Sequence, residues 1–342
     1  MGYTLYFVHD LCAVQSKAII FVFTNIFRYF LPLPKYMQGL VIKSTGSWYQ
    51  VRTEEGVDYD CRIKGKFRIK GIQTTNPVAV GDIVDFELEP NSDKGVIDRL
   101  RDRRNYIIRK SINLSKQAQI IAANMDQAFL VVTLASPRTS LGFIDRFLAT
   151  AEAYDIPAVL VFNKLDLFSE EGLEILAEYQ EIYEHIGYPC YSVSALNGAN
   201  VQLIAELLKD KVTLFSGHSG VGKSSLINAL MPGMDLKTGH VSEATDKGQH
   251  TTTFAEMHEL PFGGYLIDTP GIRELGVFDI GKDELGHYFR EIRERMGDCR
   301  FNNCRHINEP GCAVLEAVEE GEIAPSRYES YVSIYYGHDT RA

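Results

Sequence analysis

The sequence predicts a multidomain α/β protein with an N-terminal β-barrel of the OB type, a central domain built on a mainly parallel sheet, and a helical C-terminal domain. Three observations lead there. Residues 37–110 read as closely spaced short strands, residues 111–277 alternate strand and helix, and Cys299, Cys304, His306 and Cys312 crowd together near the C-terminal end. A chain of 342 residues is also too long for one ordinary domain.

Composition narrows the class further. Hydrophobic residues at 45% and charged residues at 23% exclude a largely disordered or collagen-like chain. The net charge of −10 is unevenly spread, because residues 37–110 carry 14 Lys/Arg against 11 Asp/Glu while residues 111–277 carry 10 against 20. One locally basic part of an acidic protein can direct a polyanion to itself.

The apolar run Ala18–Phe27 ends at Arg28 and is shorter than the ~20 residues a membrane-spanning helix needs. No small-residue cleavage site follows it. Residues 1–36 are therefore read as an extension, disordered or belonging to an upstream start codon with Met37 as the working initiator, and no membrane association is expected.

In the barrel region, strands are expected at Leu40–Lys43, Trp48–Arg52, Asp58–Lys70, Ile83–Glu89 and Val96–Leu100, with turns at Gly46, Gly56, Gly81-Asp82 and Asn91–Gly95. Side chains alternate across a strand, so Arg62, Lys64, Lys66, Arg68 and Lys70 share one face, and Ile63, Phe67 and Ile69 the other. The cationic face suits a phosphate backbone, with Arg99, Arg101, Arg103 and Arg104 downstream. The competing reading is an ordinary solvated strand face. Few aromatics interleave with the cations, which favours backbone contact over base stacking.

The central domain reads as strand Asp126–Leu134, helix Ser140–Tyr154, strand Ala158–Phe162, helix Glu170–His185, strand Tyr188–Val193 and helix Val201–Lys209. Strand Val212–Phe215, a helix from Lys223, and strands near Phe254–Glu259 and Tyr265–Asp268 complete it. Gly217-His218-Ser219-Gly220-Val221-Gly222-Lys223-Ser224 matches G-x-x-x-x-G-K-[ST] between a strand and a helix, with Ser225 next. Such a loop aims backbone N–H groups at phosphates, helped by the helix N-terminus. Lys223 would neutralise the β and γ phosphates and Ser224 would ligate Mg²⁺.

Asn163-Lys164-Leu165-Asp166 follows another strand, where the Asp166 carboxylate can accept from the N1–H and amino group that guanine has and adenine lacks. Ser194 and Ala195 follow the next strand and offer a backbone N–H to guanine O6. Asp268-Thr269-Pro270-Gly271 ends a further strand, bringing Asp268 toward Mg²⁺ and the Gly271 N–H toward the γ-phosphate. Thr251-Thr252-Thr253 is the place for a Mg²⁺-reaching switch threonine; Thr252 is favoured, with the register among the three open. Together these elements predict GTP binding. In an ordinary GTPase the phosphate loop comes first, whereas here it follows the base-reading segments, so the domain reads as a circularly permuted P-loop GTPase in which residues 199–211 join the natural termini.

The permuted order, the loop Ser216–Ser225, the segment Gly248–Thr253, the preceding β domain and the cysteine cluster together resemble the RsgA (YjeQ) family of circularly permuted, small-subunit-dependent ribosomal GTPases. The resemblance extends over about residues 37–340. It implies a cytoplasmic bacterial factor that binds the 30S subunit, contacts 16S ribosomal RNA and assists late subunit maturation, with GTPase activity stimulated by the subunit.

Many small GTPases orient the attacking water with a glutamine after D-x-x-G, but Ile272 stands there. His250 is the expected substitute, because an imidazole can bond to water near neutral pH, and the resemblance points to the same residue. Cys299-x4-Cys304-x-His306-x5-Cys312 offers three thiolates and an imidazole, the ligand set of one closed structural Zn²⁺ site, with an iron–sulfur cluster as the alternative. Helices are expected at Asp283–Met296 and Ala313–Glu320. The expected domains are thus 37–110, 111–277 and 278–342, and a monomer is anticipated. Two other classes compete: a non-enzymatic RNA-binding module holding GTP as a structural ligand, which Ile272 favours, and an ATP-dependent kinase, which Asp166 disfavours.

Overall fold

The computed structural model describes residues 36–64, 77–110, 118–134, 136–233, 255–268 and 281–338. Lys66, Arg68, Lys70, His250, Thr251–Thr253, Gly271 and Ile272 lie outside the described residues.

Alternating apolar residues build the barrel from β1 (Met37–Ser44), β2 (Tyr49–Thr53), β3 (Asp58–Ile63), β4 (Ile83–Leu88) and β5 (Gly95–Leu100). Their order is β1-β2-β3-β5-β4, and β4 pairs back onto β1, closing the sheet. The β3–β5 pairing is parallel and the other four are antiparallel. This is the five-stranded OB arrangement. Val41, Tyr49, Val51, Cys61, Val84, Phe86 and Ile97 fill the interior. On β3, Asp58, Asp60 and Arg62 face solvent and Cys61 the core, but the strand ends at Ile63 with Lys64 beyond it, short of the expected Asp58–Lys70, and residues 65–70 lie outside the described residues. Arg103 does not join the surface cations: it is 8% exposed, with its guanidinium on the buried Asp82 carboxylate at 2.7 Å. Arg101 and Arg104 likewise pair with Asp85 and Asp126.

A hairpin of β6 (Tyr106–Lys110) and β7 (Ala118–Ala123), unforeseen from the sequence, leads from the barrel to the central domain. The two domains also share a sheet, since β1 meets the edge strand β12 (Glu256–Glu259) at Lys43 and Glu256. Ion pairs Lys43–Glu256 at 3.0 Å and Arg52–Glu259 at 2.5 Å flank that junction.

The central sheet runs β10 (Cys190–Ser192), β9 (Ala158–Phe162), β8 (Gln127–Val132), β11 (Val212–Ser216), β13 (Tyr265–Asp268), then β12. All pairs are parallel except β12–β13. Helices α1 (Leu141–Ala153), α2 (Glu170–His185), α3 (Val201–Leu208) and α4 (Lys223–Leu230) connect successive strands. The buried strand β8 sends Ala128, Leu130 and Val132 to the core under α1 and α2, and Phe129 and Val131 to the core under α3 and α4. Ser140 caps α1 by accepting from the Phe143 N–H at 3.3 Å. The phosphate-loop strand β11 is central in space but fourth in chain order within this sheet. This is the circular permutation in structural form.

The C-terminal domain contains α5 (Arg290–Arg295), α6 (Ala313–Glu319) and α7 (Pro325–Tyr336), the last not foreseen from the sequence. The single helix expected over Asp283–Met296 is instead broken into 3₁₀ turns at Leu285–Tyr288 and Met296–Asp298 around α5. The cause is Phe289, which is extended (φ −109°, ψ 110°) and buried, its ring edge-on to Tyr331 and 4.6 Å from the Arg327 guanidinium. Core packing outweighs helix propensity there.

Arg327, on α7, locks this domain to the central one. Its guanidinium is 1% exposed and bonds Asp145 of α1 and Glu291 of α5, both at 2.7 Å, while the Tyr183 hydroxyl of α2 donates to Asp145 at 2.8 Å. Burial, the largest influence, pushes the Asp145 carboxyl up against the opposing pull of Arg327. Nearby, Arg290 bonds Glu152 at 2.7 Å and lies over Tyr188. Among the described residues, no helix is long and apolar enough to cross a membrane.

Removing one partner of a buried ionic cluster strands the others without solvent. Arg327→Ala is therefore expected to cost about 3–5 kcal/mol and to split off an early unfolding transition of the C-terminal domain in calorimetry. A single transition at the wild-type temperature would contradict it.

Candidate nucleotide site and metal centre

Parallel strands deliver their following loops to one edge of the sheet, which is where the motif residues gather. Lys223 begins α4, directly after the loop that leaves β11. Gly217 has φ 141°, and a Cβ there would stand 2.2 Å from the Val131 carbonyl oxygen. Gly222 has φ 93°, and its Cβ would stand 2.3 Å from Asn163 Nδ2. Both positions therefore require glycine.

Asn163 joins the site together. It is 1% exposed. Its Nδ2 donates to the Val221 carbonyl of the phosphate loop at 2.9 Å, and its Oδ1 accepts from the Ala195 N–H at 3.1 Å. One amide thus bridges three segments separated in sequence. Asp166 accepts from the Ser194 hydroxyl, which also receives the Asn197 N–H at 3.3 Å. Lys164, at φ 66°, donates its Nζ to the Ser136 carbonyl. Leu165 opens the 3₁₀ turn that carries Asp166.

In the phosphate loop, Lys223 Nζ reaches back to the carbonyls of Gly217 at 2.5 Å and His218 at 2.7 Å. Ser219 and Gly220 are exposed at the tip, Val221 is buried beneath it, and Ser224 and Ser225 stand in the first turn of α4. Asp268 pairs in register with Phe215, so the backbone of β13 ends beside the start of the loop. The structure thus brings together the 163–166, 194–195 and 217–225 residues and the backbone of Asp268. Arg62 and Lys64, on the barrel, are not part of this group.

The sequence reading assigned no part in the site to residues 136–143, seeing only a helix from Ser140, yet they form a side wall of it. Pro137, after a cis peptide, lies 3.2 Å from a Cβ built on Gly220, and the Phe143 ring packs against His218, tilted by 32°, with centroids 3.7 Å apart. A Ser-Pro after a buried strand was the available signal. Only the β8–β11 adjacency makes it a neighbour of the phosphate loop.

The ligand atoms of Cys299, Cys304, His306 and Cys312 all lie within 4.8 Å of one another. His306 Nδ1 is 3.5 Å from both Cys299 Sγ and Cys312 Sγ, and those sulfurs are 3.9 Å apart. A tetrahedral ion bound at ~2.3 Å to sulfur has S–S edges of about 3.8 Å, so the donors fit one ion. A cluster would hold them further apart. Burial pushes the His306 pKa down, favouring the neutral ring a metal requires.

Glu309 shapes this loop by accepting the N–H groups of Arg305 and Ile307 at 2.9 Å and of Asn308 at 3.1 Å. Burial opposes its ionisation, but these donors pull its pKa down to about 2. No local pattern announces this role, because backbone N–H groups converge only once the loop is folded.

The family model described as RsgA GTPase matches residues 100–278, and the one described as RsgA N-terminal domain matches residues 38–97. The chain belongs to the RsgA family. A relative from Christiangramia forsetii, named small ribosomal subunit biogenesis GTPase RsgA, is 56% identical over 305 residues, covering 89% of this chain and 97% of its own. A relative of the same name from Bacteroides fragilis is 56% identical over 298 residues, covering 87% and 96%. The crystal structure of YjeQ from Thermotoga maritima superposes with a TM-score of 0.72 at 39% identity, covering 88% of this chain and 98% of that one. That of YloQ, titled a circularly permuted GTPase, superposes at 0.69 and 34%, covering 88% and 94%. As an RsgA-family member the protein is a GTP hydrolase.

Two outcomes are expected. Gly222→Ala and Asn163→Ala should each abolish measurable GTP and GDP binding in calorimetry, the latter also lowering stability by about 1–3 kcal/mol through unpaired buried groups. Glu309→Gln should weaken metal retention against a chelator about 10-fold or more. Because the folded pKa of Glu309 lies below its ordinary 4.5, its support is complete above that pH and fades as pH falls toward 2. Retention equal to wild type would remove Glu309 from this role.

Proposed function

We propose that the protein is a cytoplasmic, monomeric GTPase that binds the 30S ribosomal subunit, contacts 16S ribosomal RNA and assists late maturation of the subunit, which in turn stimulates its turnover. The names of the relatives support the ribosomal part. The observation that carries the nucleotide part is the Asn163 amide, which holds the guanine-reading and phosphate-gripping segments in one place.

In this reading Asp166 selects guanine with Ser194 and Ala195. Residues 217–225 cradle the phosphates, and Lys223 exchanges its loop carbonyls for phosphate oxygens. Ser224, Thr252 and Asp268 would hold Mg²⁺, which supplies charge neutralisation between the phosphates. Gly271 offers its N–H to the γ-phosphate. His250 orients the attacking water and holds its proton, the task Ile272 is unable to perform. The C-terminal cluster binds Zn²⁺ as a structural ion, with all four donors from protein and no position left for reactive water. Arg62 and Lys64 on the barrel, with Lys66, Arg68 and Lys70 following them in sequence, track an RNA backbone.

The deciding measurement is phosphate release with and without purified 30S subunits. Stimulation is expected in the wild type, and His250→Ala should bind GTP normally while losing about 10²-fold or more of stimulated turnover. A wild-type rate indifferent to the subunit would refute the ribosomal reading; a fully stimulated variant would refute His250.

A further inference from the structure

Trp48 is the only tryptophan in the chain. The sequence reads it as the first residue of a strand, but β2 starts at Tyr49 and leaves Trp48 in the preceding turn, 40% exposed. A singly exposed aromatic is ordinary. What surrounds this one is not.

Register places the neighbours. Tyr49 pairs with Cys61 across β2 and β3, and Cys61 pairs with Gly95 across β3 and β5. Extending the antiparallel β2–β3 register sets Trp48 opposite Arg62, two residues before Lys64. Parallel β5 sets Val96 beside Arg62 and leaves Lys94 level with Asp60, from where its side chain reaches the Trp48 ring. Lys94 Nζ lies 5.0 Å from the centre of the Trp48 ring, joining the β4–β5 loop to the β1–β2 loop. Arg62 and Lys64 are exposed, and Glu89 pairs with Arg62 at 2.7 Å. In OB barrels these two loops and the β2–β3 face frame the oligonucleotide-binding surface. An aromatic face beside cations is what single strands use, bases stacking on the ring while phosphates follow the charges.

We propose that Trp48, braced by Lys94, is a stacking platform for an unpaired base of single-stranded RNA whose backbone passes Arg62 and Lys64. The proposal rests on the RNA-binding reading of the barrel and adds to it. Tyr59, on β3 itself, packs on Phe86 at the barrel core and not beside the cations, so the sequence favoured backbone contact alone. The aromatic comes from another loop. Duplex RNA buries its base faces and offers nothing to such a ring, which makes single strands the favoured ligand.

The test uses the full-length protein and a labelled single-stranded RNA of about 12 nucleotides, within the span of one OB barrel, beside a duplex of the same sequence. Binding is read from label anisotropy and stacking from the emission of the lone tryptophan. Single-stranded RNA should quench that emission, and duplex should bind more weakly. Trp48→Ala should weaken single-strand binding about 5- to 100-fold with little change in salt dependence, and Trp48→Phe should restore most of it. Lys64→Glu should instead flatten the salt dependence by about one unit of slope.

Single-strand binding with unchanged emission, or with wild-type affinity in Trp48→Ala, overturns the stacking proposal and leaves the RNA reading intact. Equal affinity for duplex does the same. Wild type that binds neither RNA removes the reading and the proposal together, including when a purified subunit protein quenches the tryptophan instead. Far-UV melting of both Trp48 variants identifies loss of fold, and the wild-type quenching result needs no variant.

Discussion

A single buried amide holds the nucleotide site in shape. Asn163 has one donor aimed at the phosphate loop and one acceptor turned to the loop after β10, so neither can move without leaving a buried polar group unpaired. The glycine at 222 follows from the same bond, since any side chain would occupy the space of the Asn163 amide. The segments carrying Asp166, Ala195 and residues 217–225 are thus tied together through one amide. Such preorganisation spares binding energy that would otherwise go into ordering loops.

The same economy extends between domains. The barrel does not hang from a linker: β1 belongs to its closed sheet and also meets the edge of the central sheet, with Lys43 and Arg52 paired to β12. On the other side, Arg327, Asp145, Glu291 and Tyr183 tie α7 and α5 to α1 and α2. Helix α1 connects that cluster to the 217–224 loop, because Phe143 in its first turn packs against His218 while Asp145 faces Arg327. The 217–224 loop and the domain that carries the Cys299–Cys312 cluster therefore contact the same helix within three residues.

Much of this was legible in the sequence, for reasons that are local. The alternation in β3, the strand-to-helix placement of residues 217–224 and the spacing of the four metal donors each depend on a few consecutive residues whose backbone geometry is nearly forced. The misreadings have equally physical causes. Asp283–Met296 has helical character, but burying Phe289 against Tyr331 and Arg327 breaks it. Arg103 looks like a surface cation, yet Asp82 draws it into the interior. Helix α7 carries tyrosines around its surface because it packs on several elements at once, so no clean periodicity announces it.

By itself, the sequence determined the three-part fold, the permuted order of the GTPase motifs and the grouping of Cys299, Cys304, His306 and Cys312, because hydrophobic period, glycine placement and residue spacing act over short stretches of chain. Only the tertiary structure decided which strands adjoin, that Pro137 and Phe143 wall the phosphate loop, that Glu309 gathers three backbone donors, and that Trp48 meets Lys94. Those contacts arise from strand pairing and core packing between residues far apart in sequence, and no local pattern encodes which of many compatible partners the folded chain brings together.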